Sequence, residues 1–395
     1  MMILAFWLLI SLTIYCYFVY PLLLWLMARL RPNPVRKSPW EPTVSIVLSV
    51  WNEEDVIKEK LQNLLSLDYP NEKMEILIGS DGSTDKTARI VRGFNDPRIH
   101  LIERPRRQGK MATLNELVQA ARNETIVFCD ARQTFAPNAI RELVANLADH
   151  HVGCVSGELI FEEKKEGGAT AKGVSLYWNY EKFIRKHESR IHSMLGATGA
   201  IYAIRRELFV PIPTHIVLDD MFVPLQIIRK GYRAVLDESA KAYDQAADSP
   251  REEHRRKTRT LFGNYQIFGL FPDLFNPLRS PVAIQLFSHK LLRVLIPLFL
   301  VLLFILNLLL TGEPLYQIMF YLQIVFYGMA VTGALSRYQK HGMFNLISKI
   351  CYIPYVFCLL NFSALAGTLR FFSSKQEATW EKARGEQKNE HEKPT

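Results

Sequence analysis

Apolar and polar positions divide this chain into three regions. From Met1 to Ala28 no position carries a charge. Residues 294–310, 315–335 and about 350–368 are again long apolar runs. Each nears the ~20 residues a helix needs to cross a bilayer. The stretch from about 40 to 270 has ordinary soluble composition. The pattern therefore predicts an N-terminal membrane helix over 1–28, an α/β domain over 40–261, an interfacial amphipathic segment over 262–290, about three C-terminal membrane helices over 291–372, and a polar tail over 373–395.

Inside the soluble part the period alternates between two and 3.6. Thr43–Val50 (TVSIVLSV) predicts a strand, 54–66 a helix, Met74–Ile78 a strand, 84–94 a helix, 99–102 a strand, 110–121 a helix and 125–129 a strand. Alternation with short connections predicts a parallel sheet covered by helices on both faces. In such sheets ligands bind past the carboxyl ends of the strands. Asn52, Asp81 and Asp130 each stand just after a strand, which is the first functional signal.

Charge refines the picture. The N-terminal run lacks the basic start and small-residue cleavage site of a signal peptide, so it reads as an uncleaved span. Arg29, Arg31, Arg36 and Lys37 follow it directly and place the domain in the cytoplasm, with Arg337, Lys340 and His341 in agreement. The expected location is the cell (inner or plasma) membrane. The net charge of +9 concentrates beside apolar spans and at 251–259. No nucleic-acid-binding motif accompanies it, so anionic headgroups are the expected partner and nucleic acid is not. The five cysteines form no C-x-x-C pair, which excludes a zinc site or disulfide framework of that kind.

Several stretches carry candidate chemistry, and each also has a plain structural reading. Ser80–Asp85 (SDGSTD) puts a carboxylate at the sheet edge, where it can accept ribose hydroxyls or a base N–H; it equally reads as a capped βα turn. Arg104–Lys110 (RPRRQGK), with Asn115 after it, places four cations before a helix and suits phosphate; it also reads as a solvated basic loop, and it is not a Walker A loop. Gly196–Arg206 (GATGAIYAIRR) allows close backbone approach to a ligand or is a strand edge with a tight turn. Asp219-Asp220 precede a helix-like segment ending at Gly231, as a general base or as capping acids. His254–Arg259 (HRRKTR) either clamps a diphosphate or lies on the membrane.

Taken in order, Trp51-Asn52-Glu53, Asp81-Gly-Ser-x-Asp85, Gly109-Lys110, Asp130-Ala-Arg132, Asp219-Asp220 and Arg259, with spans at both ends, resemble the membrane-bound family 2 glycosyltransferases. These include cellulose, chitin, hyaluronan and poly-N-acetylglucosamine synthases. The resemblance covers about 43–270 and extends loosely over the C-terminal spans and Ala378-Thr379-Trp380. It implies an α/β fold of GT-A type, Rossmann-like, and an inverting enzyme. The donor would be a UDP-sugar, held by Asn52, Glu53, Asp81, Lys110, Asp130, Arg132 and Arg259. Asp81 would meet the uridine, and Asp130 would sit at the diphosphate with Mg²⁺ or Mn²⁺. Asp220 would be the base, and Gly196, Thr198 and Asp219 would lie on the acceptor side. Arg259 would neutralise the departing diphosphate.

Four positions depart from the family pattern. Trp51 stands for Tyr, Asp219 for Glu, Arg256 for Gln, and Thr260 for the Trp that lies near the acceptor in processive synthases. At the metal position Arg132 replaces the second acid of Asp-x-Asp. Either Asp130 alone holds the ion with waters and diphosphate, or Arg132 supplies part of its charge, or Arg132 turns away to a surface acid. The expected activity is extension of a β-linked polysaccharide, with passage through the enzyme's own spans as a further expectation. Transfer of one sugar to a membrane lipid is the alternative, and Thr260 favours it. A non-catalytic membrane subunit is opposed by Asp81, Asp130, Asp220 and Arg259.

Overall fold

The computed structural model describes residues 1–162, 169–245, 250–336 and 344–373. Arg337, Lys340, His341 and the Ala378–Trp380 motif lie outside them. Among the described residues four helices are long and apolar enough to cross a membrane: α1 (Met2–Leu30), α9 (Ala283–Leu309), and the spans Pro314–Leu335 within α10 (Pro314–Ser336) and Ile350–Leu369 within α11 (Phe344–Ser373). Helix α9 thus begins inside the segment expected to lie at the interface.

Between α1 and α9 the chain runs β1 (Val44–Val50), α2 (Ile57–Leu65), β2 (Met74–Asp81), α3 (Thr87–Arg92), β3 (Ile99–Arg104), α4 (Lys110–Ala120) and β4 (Thr125–Cys129). It continues through β5 (Thr134–Phe135), α5 (Ala139–Asn146), β6 (Val152–Glu162), α6 (Ala169–Ile191), β7 (Ile201–Arg205), α7 (Asp219–Arg229), β8 (Arg233–Gln245) and α8 (Pro250–Leu270). One sheet has the order β3-β2-β1-β4-β7-β6-β8-β5. Strands β1 to β4 pair in parallel, as the alternation predicts. The sheet as a whole is mixed, because β7 pairs antiparallel with both β4 and β6. A helix of 23 residues, α6, separates β6 from β7 and lets the chain re-enter the sheet reversed.

The sheet separates two apolar layers. Ile46, Leu48, Ile76, Ile78 and Val127 pack with α2 and α5 on one face. Val47, Leu77, Ile126 and Phe128 pack with α4 and α7 on the other. This is the period-two alternation of strands buried on both sides. It leaves the carboxyl ends of β1, β2 and β4 side by side, at the point where the strand order reverses.

Helix α6 joins the domain to the apolar helices α1 and α9 through polar and charged contacts. His289 of α9 is buried, with Nδ1 2.8 Å from Glu188 Oε1 and Nε2 2.7 Å from Glu181 Oε1. Arg293 donates to the other oxygen of Glu181 at 2.5 Å. Tyr20 of α1 donates to Glu188 at 2.8 Å.

Candidate active site

The site begins at a residue with an unusual backbone. Asn52 has φ of +52°, a conformation Asn tolerates better than most side chains. Its N–H donates to Ser83 Oγ at 3.1 Å, and its Oδ1 accepts the Thr84 N–H at 2.7 Å. The next N–H, of Glu53, donates to Thr87 Oγ1 at 2.8 Å. The ends of β1 and β2 are thereby tied together.

Asp81 is buried, and its two oxygens accept the N–H groups of Gln108 and Gly109 at 2.8 and 2.7 Å. It therefore folds the 104–110 loop over the strand ends. Gly82 (φ +67°) makes that approach feasible, since a Cβ there would fall 2.6 Å from the Arg107 nitrogen. The cations of this loop do different work. Arg104 turns to α4, donating to Glu116 at 2.7 Å and to the Ala112 carbonyl at 2.9 Å. Arg107 lies 3.6 Å over the Trp51 ring, a cation–π contact. Lys110 reaches into the site. Asn115 does not reach it: its side-chain amide pairs with the Ile212 backbone in both directions, at 2.8 Å.

Lys110 Nζ stands 3.1 Å from Asp130 Oδ1 and 3.4 Å from Asp219 Oδ1. Burial opposes its charge, but Asp130 and then Asp219 outweigh burial and raise its pKa. Asp219 and Asp220 open α7, where the helix dipole favours acids. Asp219 is buried and also accepts from Tyr202 at 3.5 Å. Tyr202 is placed by register: it faces Phe128 across the β4–β7 pair, with the rings stacked 4.4 Å apart.

Asp220 faces the 196–199 turn. Ala197 N–H donates to its carbonyl at 2.6 Å. A Cβ on Gly199 would lie 3.3 Å from its Oδ2, and one on Gly196 3.4 Å from its carbonyl oxygen. Burial, and then the neighbouring Asp219, raise the Asp220 pKa to about 6, while Lys110 and Arg185 hold it down. Such a carboxylate is ionised at neutral pH yet has real affinity for a proton, which suits a general base.

Helix α8 clamps the segment leading to these acids. Gln266 donates to the His215 carbonyl at 2.8 Å and accepts the Val217 N–H at 3.1 Å. Gly263 packs directly on the Leu218 side chain. Arg259 donates to the Val217 carbonyl at 3.4 Å, and its charge is felt by Lys110.

Arg132 Nη2 lies 3.8 Å from Glu53 Oε1. The guanidinium thus spans the ends of β4 and β1, and its partner acid belongs to the set expected to hold the donor. Beneath it, the buried Lys60 donates to the Gln133 carbonyl at 2.7 Å and lies 4.2 Å from the Phe135 ring. Among the described residues no group of three or more His, Cys, Asp or Glu side chains is placed to hold a metal ion. Asp130, with Lys110 beside it, suits an ion whose remaining ligands come from a diphosphate and water, rather than a cage made by the protein.

Asp81, Asp130, Lys110, Asp219 and Asp220, far apart in sequence, therefore meet at one edge of the sheet. Lys60, Arg185 and Tyr202 join them without having been singled out in the sequence. Lys60 lies in the helix expected over 54–66, the stretch around Arg185 carries no expectation, and a buried cation has no sequence signature.

A family model described as glycosyl transferase family 2 matches residues 45–210. The chain is 23% identical over 261 residues to the "Probable glycosyltransferase YdaM" of Bacillus subtilis (strain 168), covering 62% of this chain and 61% of that protein. It is 22% identical over 254 residues to the "Poly-beta-1,6-N-acetyl-D-glucosamine synthase" of Staphylococcus aureus (strain MSSA476), covering 62% and 60%. The chain thus spans about three-fifths of the length of these curated relatives. In fold it is similar to the "Mannosyltransferase PcManGT from Pyrobaculum calidifontis in complex with GDP-Man and Mn2+", with a TM-score of 0.71, 23% identity, and coverage of 94% of this chain and 100% of that one. Residues 45–210 thus match the family 2 glycosyl transferase model within a fold of GT-A type, and among the described residues four helices are apolar enough to span a membrane.

Proposed function

We propose that the protein is an inverting glycosyltransferase that moves a sugar from a UDP-sugar to an acceptor at the membrane. The observation that carries this reading is Asp220, held at the start of α7 with its pKa raised to about 6 and Lys110 close by. Asp220 takes the proton of an acceptor hydroxyl as that oxygen attacks the anomeric carbon. The bond to the diphosphate breaks with its electron pair, and an α-linked donor gives a β-linked product. Lys110 and Arg259 supply positive charge set in advance for the leaving group. The Asp81-held loop and the Trp51–Arg107 stack form the wall against which the nucleotide lies. Asp130 would hold Mg²⁺ or Mn²⁺ on the diphosphate, and such an ion would neutralise charge there; the fold relative was solved with Mn²⁺.

The acceptor we infer first is a growing β-linked polysaccharide, in keeping with the synthase named among the relatives. Four apolar helices among the described residues support a site at a membrane, and Arg29, Arg31, Arg36 and Lys37 support a cytoplasmic domain. Transfer of one sugar to a membrane lipid is the second reading, favoured by Thr260, which is exposed on α8. Incubation of the purified full-length protein with a panel of labelled UDP-sugars, and Mg²⁺ or Mn²⁺, tests both. Long products support the first and a singly glycosylated lipid the second. Absence of nucleotide release from every donor, GDP-mannose included, would sink the catalytic reading.

A further inference from the structure

Arg185, on α6, is only 8% exposed. Its Nη2 donates to Thr198 Oγ1 at 3.1 Å and to Ser156 Oγ at 3.2 Å. Ser156 Oγ in turn accepts the Thr198 N–H at 2.8 Å. Helix α6, strand β6 and the 196–199 turn therefore meet at one guanidinium. That turn is the one that lies against Asp220, through Ala197 and Gly199.

A buried cation is costly. Burial pushes the Arg185 pKa down, against the pull of Glu181, Asp220 and Glu188. Apolar residues of similar volume in such places are often neutral or stabilising. Packing alone therefore does not account for an arginine here.

We propose that Arg185 is a positioning residue for the transfer step: its guanidinium fastens the 196–199 turn under Asp220 and sets a fixed positive charge beside that carboxylate. The proposal rests on the reading of Asp220 as the base. The charged groups acting on Asp220 come from every side of the site. Asp219, from the same helix, and Asp130, at the end of β4, disfavour its ionised form. Lys110 of α4 and Arg185 of α6 favour it. Without Arg185, one of the two cations named as favouring its ionised form is gone, so Asp220 holds its proton to a higher pH.

The test uses the full-length protein in detergent micelles, with the nucleotide-sugar that gives the fastest turnover in a donor panel. Arg185→Met is expected to lower kcat about tenfold or more at neutral pH, with KM for the donor changed little. Its acid limb should move up by about one pH unit. Arg185→Lys keeps the charge and should return the limb most of the way. Thr198→Val keeps Arg185 but loosens the turn, so kcat should fall with the limb in place. An acid limb unmoved in Arg185→Met overturns the proposal alone. If Arg185→Met does not fold, wild-type kcat in both Arg185→Lys and Thr198→Val overturns it. Near-normal turnover in Asp220→Asn overturns the base assignment and this proposal together.

Discussion

The ammonium of Lys110 lies 3.1 Å from the carboxylate of Asp130, so the first residue of α4 meets the residue that follows β4. The same ammonium is 3.4 Å from Asp219. One cation thus holds together an acid expected at the diphosphate and an acid beside the proposed base. Lys110→Met should lower kcat by about 100-fold, since it removes charge aimed at the leaving group. It should also shift the acid limb upward, because Lys110 helps keep Asp220 ionised. Steady-state kinetics across pH check both. A loss of donor affinity with kcat unchanged would show that Lys110 only binds.

Asp220 predicts a pH profile. Its pKa is raised from 3.8 to about 6. Activity should therefore rise with pH through about 6 and flatten above it, as the base becomes ionised.

The same shift has a cost in stability. A group whose folded pKa is raised contributes stability below its unfolded value and loses it as pH rises through the folded one. Ionised Asp220 therefore destabilises the fold at neutral pH. Asp220→Asn should melt at a higher temperature than wild type at pH 7, and the gap should narrow as pH falls from 6 towards 4. Equal melting at both ends of that range would contradict the shift.

These acids were legible in the sequence for a physical reason. Strands buried on both faces are short β-branched runs that break into turn formers at their carboxyl ends, so Asn52, Asp81 and Asp130 stand out. The Gly231 stop likewise marks the end of α7, and its φ of +89° shows why Gly is there. Arg185 was hidden because its partners Ser156 and Thr198 lie 29 and 13 positions away. The segment EKFIRKHESR, residues 181–190, is rich in charge, and nothing in it marks Arg185 as buried. The reversed entry of β7 was equally hidden, since strand direction leaves no mark on composition. The carboxylate of Asp81, expected to face a nucleoside, already accepts two backbone N–H groups.

Arg132 lies 3.8 Å from Glu53, so its charge belongs to the proposed donor pocket. Chelator should abolish nucleotide release and Mn²⁺ restore it. Arg132→Asp supplies a second carboxylate where the family has one. It should lower the Mn²⁺ concentration for half-maximal activity by about tenfold. Full activity in excess chelator would show that Lys110 and Arg132 suffice without an ion.

Gly82 sits under the backbone of Arg106 and Arg107 with φ of +67°. Gly82→Ala should cost about 1–3 kcal/mol through backbone strain and collision. The displaced loop should raise KM for the donor more than it lowers kcat. Thermal melting and donor saturation curves separate the two effects. An unchanged KM would place the nucleotide away from this loop.

The acids of α6 decide what kind of object this domain is. Glu181 and Glu188 are matched by Tyr20, His289 and Arg293, which belong to the apolar helices α1 and α9 on either side of the domain in sequence. Cut free of those helices, the domain would keep its sheet and lose the counter-charges of the helix that carries Arg185. On the proposed membrane placement, a bilayer that holds α1 and α9 is more than a mooring: it also keeps in place the counter-groups of the helix behind the proposed transfer site.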